Sequence, residues 1–184
     1  GLTLVGWQRL RRRQRPDVGP KMTALPLKEI HQLEVTESYP AAIDELEKRI
    51  AQGHDDSETV IRLGFNLWYA VAEHLRLNRD IPTDRYRTRF VEIFRAQVAF
   101  LQDDPEFCWA FGLGFSLFAH EFEGVSESDG KALLDHAAVL DPFFASSLDG
   151  EELSRRFNGR GIFESYYATT AQQPGDGKPD PAAS

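Results

Sequence analysis

A glutamate three residues before a histidine on a helix can hold iron in a bundle core, and two histidines four apart around a glutamate can hold zinc. The 184-residue chain has five histidines: His31, His54, His74, His120 and His136. None has a glutamate three residues before it, and His120-Glu121 has no second histidine at the required spacing. The pattern points to no metal and no cofactor. Gly112-Leu-Gly114 lacks the third glycine and the preceding strand of a dinucleotide-binding turn, so it is read as a helix-packing feature. Gly114-Phe-Ser116-Leu-Phe118 lacks the closing glycine of a nucleophile elbow. Cys108 lies on an apolar stripe without a nearby base, which suits a buried small hydrophobe better than a nucleophile. No phosphate-binding loop is present. No catalytic residue is assigned, and the chain is not expected to be an enzyme.

Three features could bind. Ile61, Phe65, Trp68, Tyr69, Trp109, Leu113 and Leu117 form a second apolar face on two helical segments that already carry one inward stripe each. Excess aromatic surface of this kind marks interaction sites, so the strip is expected to line a partner-binding groove. The competing expectation is that the strip packs on this same chain, with Gly161-Ile-Phe-Glu-Ser-Tyr-Tyr167 apolar enough to fill it. Arg155, Arg156 and Arg160 cluster in an otherwise acidic domain and could clamp a carboxylate or phosphate; the alternative is a solvated connector. Glu73, His74, His120 and Glu121 stand at helix ends, where solvated termini are the simpler reading.

The elements that must position these residues are helical. Apolar residues recur at helical period, and few runs alternate as a strand would. Ala41 to Gln52 follows Pro40, with Ile43, Leu46 and Ile50 on one stripe. Asp56 or Ser57 caps a helix over 57–77, carrying Val60, Leu63, Leu67, Val71 and Leu75. Pro82 and Thr83 open a helix over 84–102. Asp104-Pro105-Glu106 opens one over 105–122, the proline sitting where it costs no hydrogen bond. Ser126 to Asp129 starts a last helix over 127–140, stopped by Asp141-Pro142. The short connections predict antiparallel neighbours.

Two of these helices match at an offset of 48 residues: Asp56, Glu58, Gly64 and Glu73 fall on Asp104, Glu106, Gly112 and Glu121. Leu63-Gly64 and Phe111-Gly112 resemble the large–small pair in the first helix of a tetratricopeptide repeat, and Ala138, Leu140 and Pro142 resemble the end of a second helix. The resemblance covers roughly residues 40–142. The usual unit is about 34 residues, and Val60 and Cys108 stand where an early aromatic belongs. The expected fold is all-α, with antiparallel helix pairs stacked as a short TPR-like superhelix or as an irregular helical bundle. The resemblance implies a protein- or peptide-binding scaffold.

Charge narrows the partner. The chain has 21 basic and 29 acidic residues. Residues 1–21 hold six basic groups and one acid, so the remainder carries a net charge of −13. An acidic body does not suit a nucleic-acid binder and does suit a basic protein. A single cysteine fits a reducing compartment such as the cytoplasm. Residues 1–22 form a basic N-terminal segment, with Leu2, Leu4, Val5 and Trp7 ahead of the arginines: either it flanks a membrane anchor lying upstream, or the residues before Met22 are not part of the natural protein. The helical domain is expected over 23–168, and 169–184, rich in proline and glycine, reads as a disordered tail. The expected function is a non-catalytic protein- or peptide-binding module. The alternatives are an immunity-type inhibitor of a bacterial toxin and a membrane-anchored adaptor or assembly factor. The oligomeric state is left open.

Overall fold

A computed structural model of the chain describes residues 23–77, 80–145 and 155–160. Residues 1–22, the 161–167 segment and the 169–184 tail lie outside those described. The described residues are helical without any strand: α1 (Leu27–Val35), α2 (Tyr39–Ala51), α3 (Ser57–Ala72), the short α4 (His74–Leu77), α5 (Thr83–Leu101), α6 (Pro105–Phe118) and α7 (Glu127–Leu140). Single 3-10 turns follow α6 (Ala119–Glu121) and α7 (Pro142–Ala145).

The helix starts follow from side chains that satisfy the free N–H groups of a first turn. Asp56 Oδ1 accepts from the Thr59 amide at 3.0 Å. Asp104 Oδ1 accepts from the amides of Glu106 and Phe107 at 2.9 and 3.1 Å. Ser126 and Asp129 exchange hydrogen bonds as a capping box at the head of α7. The repeat positions Asp56 and Asp104 thus perform the same task.

Two of the expected helices stop early. The 57–77 helix breaks after Ala72, where His74 Nδ1 donates to the Val71 carbonyl at 2.7 Å and the chain restarts as α4. The 105–122 helix tightens into a 3-10 turn at Ala119, and Phe122 is extended. Helix α1 lies outside all the segments read as helical from the sequence.

Helix α3 is the centre. Every residue from Thr59 to Trp68 is buried, because α2, α5 and α6 all pack on it. Against it stands an aromatic core in which Phe90 stacks on Phe111 at 4.9 Å between centroids and Phe94 on Phe107 at 5.9 Å. Each such ring contributes about 1.5–3 kcal/mol by leaving water. The rings fit because glycine leaves room: a Cβ on Gly64 would lie 2.4 Å from Phe111 Cζ. Gly64→Leu is therefore expected to lower stability by about 1–3 kcal/mol, read from the urea midpoint; a midpoint unchanged from the parent would contradict this packing. On the other side of α6, α7 approaches so closely that a Cβ on Gly130 would lie 2.2 Å from the Ser116 amide nitrogen.

Candidate partner-binding surface

The aromatic strip is core over most of its length, which corrects the groove expected from the sequence. Ile61, Phe65, Trp68 and Trp109 are buried. Trp68 is enclosed by Phe65 at 4.9 Å and Phe118 at 5.5 Å. Trp109 lies against Phe144 at 5.5 Å and Phe157 at 5.8 Å, both supplied by chain that returns after α7. Tyr69 meets Tyr39 of α2 edge-on. Tyr69 and Leu113 are half-buried, and of the strip only Leu117, 53% exposed, faces solvent.

The arginine cluster is not an anion clamp either. Arg156 donates to Asp141 at 2.6 Å and lies over the Phe143 ring. Arg160 ion-pairs with Glu58 and, through both terminal nitrogens, with Glu106. Asp141, Glu58 and Glu106 set negative charge where an anion on Arg156 or Arg160 would have to sit. Arg155 alone of the three is exposed. Glu58 and Glu106 are repeat-equivalent positions, so Arg160 joins the heads of α3 and α6.

A buried polar cluster escaped sequence reading. Glu34 of α1, fully buried, accepts from Arg62 Nε and Nη2 at 3.1 and 2.7 Å and from Asn66 Nδ2 at 2.8 Å. A carboxylate only accepts, so the Asn66 amide nitrogen must be the atom turned toward it. The available signal was Arg62 inside the apolar run Val60-Ile61-Arg62-Leu63, with Asn66 one turn on.

An apolar concavity open to solvent lies elsewhere, between α5 and α7 over α6. This cleft of about 500 Å³ has Phe94 and Val98 on one wall, Ala132 and Leu133 on the other, Val125 at one end and Cys108 and Phe115 as floor. The two walls run in the same direction and are tied near both ends. Arg95 Nη2 donates to the Gly124 carbonyl at 3.5 Å, and His136 Nε2 stands 3.1 Å from the Gln102 carbonyl. A carbonyl cannot donate, so Nε2 carries the proton. Beyond Arg95 and Gly124 the cleft continues into a recess of about 480 Å³ bordered by Glu92, Glu121 and Glu123. Asp84 also borders it, and Arg87, which donates to Glu121 at 2.6 Å, shares the cation count with Arg95; the recess is net acidic. The periodicity of α5 carried the signal for the cleft: Phe94, Val98 and Leu101 are among its inward residues, all three are half-buried, and the first two line the cleft.

The one thiol on the cleft floor is buried. The Cys108 thiol donates to the Gln102 carbonyl at 3.1 Å. Burial, with Asp104 and Asp103 nearby, pushes its pKa up to about 11. A folded pKa above the ordinary value means that the neutral thiol persists at neutral pH. At pH 8 its thiolate population is far below that of a free cysteine. Alkylation by iodoacetamide should accordingly be slow in the native protein and fast in urea; equal rates would contradict the burial. Among the described residues no His, Cys, Asp or Glu side chains gather as a metal site. No described helix is long and apolar enough to cross a membrane.

Comparison with known proteins gives no match: no family model, curated protein or solved structure is similar enough to this chain to inform its reading.

Proposed function

We propose that this chain is a non-catalytic module that binds another protein or peptide, and that the α5–α7 cleft is where it does so. The supporting observation is the cleft itself: an apolar trough whose side chains Phe94, Val98, Val125 and Leu133 are only half-buried by the chain. A volume of several hundred Å³ with a few polar groups at its margin is the usual form of a binding site, and parallel helical walls suit an inserted helix. The acidic recess beside it favours a basic partner. An immunity-type inhibitor of a basic toxin is one form such a module could take.

Site-specific crosslinking tests the reading. Benzoylphenylalanine at Ala132, on the cleft wall, is expected to capture a discrete polypeptide in the native host. The same group at Leu75, which is exposed far along the chain on α4, is expected to capture none. Capture at both positions, or at neither, would count against the cleft.

A further inference from the structure

We infer that the cleft and the adjoining recess form one two-part track for an amphipathic helix of a separate basic protein. The occupant would place two apolar side chains in the cleft and its cations about two turns further along. The inference rests on the binding role just proposed and adds the chemistry of the partner.

Three observations carry it. First, the two concavities are contiguous, sharing Arg95 and Gly124, and both follow α5, so a single rod can lie along them. Val98 in the cleft and Glu92 in the recess are about 9 Å apart along the helix axis, which an occupant helix spans in about six residues. Second, the recess offers unspent negative charge. Glu123 is exposed and has no ion pair among the described residues, and Glu92 keeps 58% of its side chain in solvent despite a 3.3 Å pair with Arg89. Third, Arg95 stands at the junction, so a cation directly above it would be repelled. The occupant must be neutral or acidic at that point and basic beyond it. This is a specificity filter as well as an attraction. The body of a second copy fits poorly, because residues 22–184 carry a net charge of −13 that sets like charge against the acidic recess; its basic residues 1–21 are tested by the variant at Arg11, Arg12 and Arg13 below.

The test uses the full chain and two fluorescent peptides, each a helix of about 18 residues. Both carry the same leucine pair at i,i+4. One has three lysines about six to eight residues from that pair, and the other has glutamates there. The basic peptide is expected to bind at least about tenfold more tightly, and about 0.5 M salt should shrink that preference. Exposed Glu92 and Glu123, both changed to Lys, should abolish the preference without altering the melting temperature. Leu133→Asp should weaken both peptides. Equal binding of the two peptides would overturn the basic-helix inference while leaving the cleft a binding site. No binding of either at about 100 µM would overturn the inference and the cleft together. Binding insensitive to Leu133→Asp, in a protein of unchanged circular dichroism, would reduce the effect to diffuse charge attraction and also overturn it. One further variant separates the chain's own basic end from an outside partner. If replacing Arg11, Arg12 and Arg13 by Glu strengthens basic-peptide binding by tenfold or more, the natural occupant is that end, and the separate partner is overturned.

Discussion

Glu34→Ala is expected to lower the unfolding free energy by about 3–5 kcal/mol, because it removes one half of a buried ion pair and leaves the other in place. Arg62 is only 2% exposed, and its guanidinium gives two of its hydrogen bonds to Glu34. Without that carboxylate, the Leu27 carbonyl at 3.3 Å and Glu58 at 4.0 Å remain, and neither replaces a bidentate partner. Asn66 loses an acceptor in the same step. For a chain of this size each kcal/mol moves the melting temperature by about 2–4 °C, so a drop of roughly 10 °C is the calorimetric signature. The double variant Glu34→Leu with Arg62→Met is the informative companion. It removes both charges and should recover most of the loss. A single variant that melts within about 2 °C of the parent would mean that water reaches Arg62.

Gly130→Ala is expected to cost about 3 kcal/mol net, although alanine is the better helix former by about 1 kcal/mol. The added methyl would lie 2.2 Å from the Ser116 nitrogen and 2.7 Å from the Phe115 carbonyl carbon. Both are backbone atoms of α6, so no side chain can rotate aside, and α7 must lift from its most extensive contact. Gly112→Ala should cost less, since its methyl would meet neighbours at 3.0–3.1 Å, two of them the side chains of Leu133 and Leu134. Urea unfolding of the pair ranks them directly. If Gly130→Ala is as stable as the parent, the α6–α7 register is wrong.

The all-helical class and most of the helices were legible in the sequence because they rest on local chemistry. Asp56, Asp104 and Ser126 announce helix starts within three residues of where they act, and Gly64 and Gly112 signal close approach wherever their neighbours come from. Helix α1 was not legible. Its inward apolar residues, Leu27, Ile30 and Leu33, are few, Val35 is exposed, and Pro26 supplies no side-chain cap. Its anchor is Glu34, whose partners Arg62 and Asn66 are 28 and 32 residues away. The aromatic strip failed for a related reason. The width of an apolar face reports how many neighbours a helix has, not whether they belong to the same chain. Trp109 is covered by Phe144 and Phe157, and nothing near Trp109 in sequence foretells them. The α5–α7 cleft went unseen because Phe94, Val98 and Leu133 recur at helical period like any core residue; only the assembled helices show that they are incompletely covered.

The Arg160 contacts bear on time rather than on shape. They join the end of the described chain to Glu106 and Glu58, 54 and 102 residues before it. Arg160 can meet both carboxylates only once α3 and α6 have docked side by side, so these links are expected to close late in folding. Interactions that form late slow escape from the native state without hastening arrival. Replacing Arg160 by Ala is therefore expected to shorten the lifetime of the folded protein more than it slows its formation.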